Sequence, residues 1–173
     1  NFSKSICLTY DGGGETISTA IFLCDENYNL KKIKSFNWPN SLGHFYSAFT
    51  GFLGFRMLEG EYKMMGLAPY GVPKYKSIIL DQILTKQVNG SYKLNTKILN
   101  YHMALHGKFT KNFIELFGNP RGNDEEFTQN HKDIASSVQG AFEEILLHIL
   151  TWAKSEFNEY KNLCLAGGCA LNV

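Results

Sequence analysis

Apolar and polar positions along the chain run first with the two-residue period of strands and then with the longer period of helices, and the switch between them sets the expected order of elements. Ser5–Tyr10 (SICLTY) and residues 16–24 (TISTAIFLC) are apolar, β-branched runs separated by Asp11-Gly12-Gly13-Gly14-Glu15. They predict a hairpin with a flexible tip. A polar turn over residues 25–29 allows residues 30–38 to return as a third strand, giving an antiparallel meander. Phe45, Phe49, Phe52 and Leu53 then fall on one helical face within residues 43–55, which predicts a buried helix. Residues 59–71 (EGEYKMMGLAPYG) carry too many glycines and too little period for a long helix and are expected to be irregular.

Ile78, Ile79, Leu80, Ile83 and Leu84 make a helical stripe over residues 74–86. Asn89-Gly90 is a two-residue hairpin signal, and the weak alternation around it predicts a small, exposed ribbon on the periphery. Residues 109–117 predict a short helix ended by Gly118-Asn119-Pro120. The surest helix spans residues 133–157, where Ile134, Val138, Ala141, Phe142, Ile145, Ile149 and Ala153 recur at helical spacing. Asn162–Ala166 is expected to be a buried strand, followed by the turn Gly167-Gly168. A meander, helices and a closing strand with glycines suit an α/β domain with a mixed sheet and flanking helices.

With 173 residues, 44% of them hydrophobic, the chain can bury one good-sized core. Its 17 basic and 16 acidic residues are spread along the sequence, leaving no electrostatic footprint for nucleic acid or an anionic membrane. Affinity must come from a local site for a small molecule. Cys7, Cys24, Cys164 and Cys169 lack CxxC pairing and read as reduced core thiols of a cytoplasmic protein. No run of 18 apolar residues occurs, and the first residues form no signal sequence. From the absent initiator Met, and an end just after a strand and its glycine turn, the chain is expected to be a fragment. Its oligomeric state is not legible.

Glycines after a strand let backbone N–H groups approach an anion closely, because no Cβ intervenes and positive φ costs little. Gly12 and Gly13 form one such place, with Asp11 able to hold a metal, and Gly167 and Gly168 form another at a strand's carboxyl end. Taken singly, each is an ordinary turn. Neither fits the GxxxxGK[ST] pattern of a P-loop.

Taken in order, DGGGET (11–16), SLGHFYSAFTGFLGF (41–55), GEYKMMGLAPYG (60–71), DIASSVQGAFEE (133–144) and LAGGCALNV (165–173) resemble the carbamoyltransferases that modify antibiotics and nodulation factors. The similarity lies in their amino-terminal domain, whose fold belongs to the superfamily of actin, heat-shock ATPases and sugar kinases. It implies that carbamoyl phosphate is activated with ATP to a carbamoyl adenylate in one domain, and that the carbamoyl group passes to a hydroxyl of a small molecule or sugar in the actin-like domain, of which residues 1–173 would be part. It implies Asp11 as a metal ligand, with a divalent iron suiting a carboxylate and imidazoles. It also implies Gly12, Gly13, Gly167, Gly168 and, in the same closing stretch, Asn172 as nucleotide-binding residues. The family's paired histidines lie upstream of the DGxGE motif and a later aspartate beyond residue 173, so the metal site is expected to be incomplete and the isolated piece inactive.

Within residues 59–71, Lys63 is a candidate to offset phosphate or carbamoyl charge and Glu61 to orient it or accept a proton; an ordinary surface ion pair is the plain alternative. Pro69 and Tyr70 are expected to shape that segment. Arg121 is a weaker anion candidate, an isolated loop arginine being usually solvated. His102 and His106 are four apart, as a helical metal pair would be, yet Asn100-Tyr101 and Gly107 argue against a stable helix there. His131 and His148 read as capping or surface groups, and His44 lies in a motif without an assigned role. A non-catalytic nucleotide-binding module of the same fold and a sugar kinase are the competing functions.

Overall fold

The computed structural model describes residues 4–172. Its elements in chain order are β1 (Ser5–Tyr10), β2 (Ile17–Cys24), β3 (Leu30–Asn37), α1 (Leu42–Phe52), α2 (Glu61–Leu67), α3 (Lys76–Ile78), β4 (Leu84–Lys86), β5 (Tyr92–Leu94), α4 (Tyr101–Leu105), α5 (Lys111–Phe117), α6 (Gln129–Glu156) and β6 (Asn162–Ala166). Short 3₁₀ turns follow α2 and β6, and a π-helical turn over Ile79–Ile83 links α3 to β4. The main sheet has the order β3-β2-β1-β6, antiparallel except that β1 and β6 run parallel. This is the mixed α/β architecture that the pattern predicts.

Alternation decides the sheet: Ile6, Leu8 and Tyr10 of β1 are buried, and their partners Leu23, Ile21 and Thr19 on β2 are buried with them. Beneath lies a phenylalanine cluster. Phe49 and Phe52 of α1 meet Phe113 of α5 at ring separations of 5.0 and 5.1 Å, with Phe117 4.8 Å beyond Phe113. Such tilted and edge contacts add to the burial of five fully enclosed phenylalanines, among them Phe45 and Phe142.

Several local expectations are corrected. Residues 59–71 are helical, not irregular: α2 covers Glu61–Leu67 and a 3₁₀ turn covers Ala68–Tyr70. Only Met64 of α2 is buried, so no stripe announces this helix, while Glu61 favours its amino end. The β4–β5 ribbon is not peripheral, since Tyr92 and Leu94 are buried and the Tyr92 hydroxyl donates to the Asn40 carbonyl (3.0 Å). Residues 84–86 belong to that ribbon and not to the preceding helix.

Helix α6 starts earlier than its apolar stripe, because Thr128 caps it: its hydroxyl accepts from the His131 N–H while His131 Nδ1 accepts from the Thr128 N–H. His131 thus caps, as expected. α4 does form, with the Asn100 side chain accepting from the Met103 N–H. β6 is an edge strand of the described sheet, not a buried one, and Leu163 and Leu165 are 43% and 44% exposed. The four cysteines are unbridged and half-buried, not core residues. No described helix is long and apolar enough to cross a membrane.

On α6, Glu144 holds the ammonium groups of Lys76 (2.7 Å) and Lys86, tying α3 and β4 to the long helix. Those hydrogen bonds, Lys76 first, lower its carboxyl from 4.5 to about 2. A depressed carboxyl pKa stabilises the fold above the unfolded value and loses that contribution as pH falls from about 4.5 towards 2. Discounted for its partial exposure, the contribution is about 1 kcal/mol. Glu144→Gln is expected to lower stability by that amount at pH 7 and to leave it less dependent on pH between 4.5 and 2; an unchanged acid limb in a pH series of denaturation curves would contradict this.

Candidate functional site

The parallel register of β1 and β6 pairs Thr9 with Ala166, so the two glycine turns leave the sheet side by side. Gly167 is forced by this closeness: its φ is +96°, and a Cβ there would stand 2.3 Å from the Tyr10 carbonyl oxygen. Asp11 joins the turns. Its Oδ1 accepts from the Gly12 N–H (2.7 Å) and its Oδ2 from the Gly168 N–H (3.1 Å). Hydrogen bonds to a charged acceptor are the strong kind, and here the two amides serve the protein's own carboxylate.

The amino end of α1 closes on the first turn. Ser41 accepts from the His44 N–H (3.0 Å) as the N-cap and donates to the Gly12 carbonyl (2.6 Å). Gly43 lets the helix in, since a Cβ there would lie 2.4 Å from the Gly12 nitrogen. His44 stands over the same loop, where a methyl built on Gly12 or Gly13 would be 3.4 or 3.9 Å from its Nε2. Its Nδ1 accepts from Trp38 Nε1–H (3.2 Å), so the neutral ring carries its proton on Nε2, facing the loop. Burial lowers the imidazole's pKa, His102 adds to this and Asp11 opposes it. Tyr101 stacks on the ring at 3.7 Å.

Beside the turns opens a cleft of about 360 Å³, within the size range of small-molecule sites. Three carboxylates, Asp11, Glu59 and Glu61, join Ser47, Asn172 and the Gly12 and Gly168 backbone in its polar lining, and Leu58, Tyr62, Met65, Phe142 and Leu171 are among its apolar walls. Glu61 clamps the rim: its Oε1 accepts from the Ser47 hydroxyl (2.5 Å) and the Leu58 N–H (2.8 Å). Asn172 is gripped by Gln139, whose Nε2 donates to Oδ1 (2.7 Å) and whose Oε1 accepts from Nδ2 (3.2 Å). Tyr46 donates to the same Gln139 oxygen (2.8 Å), burial having pushed its phenol well above the ordinary range. Burial, with the Asp11 and Glu61 charges, pushes the Cys169 thiol up to about 12, so it stays protonated and is no nucleophile at neutral pH.

Thus Asp11, Gly12, Glu61, Gly168 and Asn172 come together, with Gly13 and Gly167 in the same turns. Lys63 does not join them: it is exposed, off the cleft lining, with its ammonium 5.8 Å from the Tyr62 ring centre. Arg121 is structural, donating to the carbonyls of Leu53, Asn123 and Glu125 and lying 3.9 Å from the Phe127 ring centre. His102 packs on Trp38 and His106 ends α4, while His148 Nε2 bonds the Gln87 and Ser91 carbonyls of the β4–β5 turn. Tyr70 is exposed at the end of its 3₁₀ turn, and the closing Gly71 packs so tightly that a Cβ would meet the Lys132 carbonyl oxygen at 2.1 Å. Val173, the last residue of the closing motif, lies outside the described residues.

Ser41, Gly43, Tyr46, Leu58 and Gln139 escape sequence reasoning as site residues. Ser41 carried a signal, a serine just before a helical period. The others are defined by what approaches them in space.

Comparison with known proteins adds to this geometry. The model of a family described as the carbamoyltransferase N-terminus matches residues 1–173. An uncharacterized protein of Synechocystis sp. is 42% identical over 172 residues, covering 99% of this chain and 28% of that protein. Nodulation protein NolNO of Sinorhizobium fredii is 34% identical and nodulation protein NolO of Bradyrhizobium diazoefficiens 33%, each over 171 residues and 99% of this chain. The chain spans 23% and 29% of those two proteins.

Proposed function

The chain belongs to the carbamoyltransferase N-terminus family, and from that premise we propose that it forms part of an actin-like domain that passes a carbamoyl group from a carbamoyl adenylate, made from carbamoyl phosphate and ATP, to a hydroxyl of a small molecule or sugar. The observation that carries this reading is the Asp11 carboxylate joining two glycine turns in the lining of a cleft that also has apolar walls. Here Gly12, Gly13, Gly167 and Gly168 bring backbone close to the ligand, while His44 offers its Nε2–H to a ligand oxygen over the loop. Glu61 serves as the clamp of the rim.

Among the described residues no three His, Cys, Asp or Glu side chains are grouped to hold an ion, and both Asp11 oxygens face backbone amides. This donor set does not make a metal site by itself. Asp11 is therefore proposed as one ligand of a divalent metal, iron by donor type, with its other ligands drawn from outside residues 4–172. No step is derived through it. The engagement of Glu61 in holding the rim is the observation that favours the second reading, a non-catalytic nucleotide-binding module.

The test is to supply the full-length protein with ATP, labelled carbamoyl phosphate and a panel of hydroxyl acceptors. Label on the acceptor with release of AMP is expected. Release of ADP with a phosphorylated acceptor would instead mark a sugar kinase, and no turnover with retained nucleotide affinity a binding module. Residues 1–173 alone are expected to give no transfer.

A further inference from the structure

Asn40 gathers bonds from two sides of the core onto the residue just before the cap of α1. Its backbone carbonyl accepts from the Tyr92 hydroxyl (3.0 Å) and from the Ser18 hydroxyl (2.6 Å), and its side-chain Oδ1 accepts from the Leu94 N–H (2.9 Å). Tyr92 and Leu94 belong to β5, 52 and 54 residues further along the chain. Ser18, on β2, reaches the glycine loop as well, since its carbonyl accepts from the Asp11 N–H (2.9 Å). Ser18, Ser41 and Tyr92 are all buried, so these bonds are made away from competing water and are indifferent to what covers the outer surface.

Capping α1 requires none of this, because Ser41 alone accepts from the His44 N–H. What the Asn40 bonds add is a fixed position for Ser41. The Ser41 hydroxyl donates to the Asp11 (3.1 Å) and Gly12 (2.6 Å) carbonyls, and so holds the loop that carries the Asp11 carboxylate. We propose that Asn40 is a positioning residue for the Asp11 loop, with β5 as its anchor: Tyr92 and Leu94 hold Asn40, Asn40 holds Ser41, and Ser41 holds the glycine turn. The β4–β5 ribbon thereby acts on a cleft that none of its residues lines. Reacting groups work only where their supports keep them, and a displacement of about 1 Å can cost about 10² in rate. The effect on rate rests on the carbamoyl-transfer reading of the cleft, whereas the effect on the loop's position does not.

In the full-length protein Asn40→Ala removes the acceptor of the Leu94 N–H and leaves the cap serine in place. Amide hydrogen exchange over residues 11–17, where the Asp11, Gly12 and Gly14 N–H groups are bonded, is expected to quicken about fivefold. Exchange over residues 134–149 of α6 should stay as in wild type, and kcat for carbamoyl transfer should fall about tenfold. Tyr92→Phe keeps the ring stacked on Phe36 and removes only the hydroxyl, so it should move both readouts in the same direction and less far, and it tests the same link should Asn40→Ala not fold. Asn40→Asp keeps an oxygen for the Leu94 N–H and is expected to recover most of both losses. Glu144→Gln, which destabilises the fold elsewhere, is expected to change neither. A wild-type exchange rate over residues 11–17 in both Asn40→Ala and Tyr92→Phe overturns the positioning role, and so does an equal quickening across α6, which would make Asn40 a brace of the whole fold. Faster loop exchange with unchanged kcat overturns its role in transfer. A wild-type protein that transfers no carbamoyl group overturns the reaction alone, and the exchange rates still decide whether Asn40 holds the loop.

Discussion

Asp11→Asn is expected to lower kcat/KM for carbamoyl transfer by roughly 10²–10³, the scale on which removal of a single charged or donor group from a pre-arranged site acts. The substitution keeps the size of the side chain, so its effect reports chemistry and not packing. One amide oxygen replaces one carboxylate oxygen and can still accept from either Gly12 or Gly168. The amide NH₂ must then face the other backbone N–H, turning an attractive contact into donor against donor. The bridge between the β1 and β6 turns opens on one side, and the negative charge is lost. The fold keeps its sheet and its phenylalanine cluster, so the Tm should fall by no more than a few degrees. Activity within threefold of wild type would remove Asp11 from the proposed chemistry, and a collapse of the fold would make it a structural residue instead.

Gly43→Ala is expected to damage the site through packing. The added methyl would lie 2.4 Å from the Gly12 nitrogen and 2.7 Å from the Asp11 carbonyl carbon. Neither is the end of a flexible side chain that can step aside. Either α1 withdraws, breaking the Ser41 hydroxyl's bonds to the Asp11 and Gly12 carbonyls, or the glycine loop moves and carries the Asp11 carboxylate off the Gly168 N–H. Overpacking of this kind costs about 1–3 kcal/mol. Ligand affinity should fall together with stability, since the same loop serves both. Denaturation curves and a nucleotide titration check the pair, and a variant as stable and as tight-binding as wild type would show that the first turn of α1 does not position the loop. By contrast Gly66→Ala, where a Cβ meets nothing within 4 Å, serves as the control and should be neutral or stabilising.

The catalytic candidates show where local reasoning stops. Glu61 and Lys63 are two apart, and residues two apart on a helix do not share a face. Reading residues 59–71 as irregular hid that constraint, and the helix sends Glu61 to the cleft and Lys63 to solvent. Met64 is the one buried residue of α2 and cannot by itself announce a helical period. The segment's identity as a motif was legible, whereas the packing of its closing Gly71 against the Lys132 carbonyl of α6, sixty-one residues away in sequence, was not.

By itself the sequence determined the strand and helix periods, the chirality-tolerant turns and the family, because each of these is written in the spacing and order of neighbouring residues. The edge position of β6 in the described sheet, the use of two glycine N–H groups by Asp11, and the place of Leu58 in the cleft lining were decided by the tertiary structure alone. They depend on which distant backbone arrives within hydrogen-bonding distance, about 3 Å, and the parallel pairing of β1 with β6 brings together residues more than 150 positions apart. No local pattern encodes that meeting.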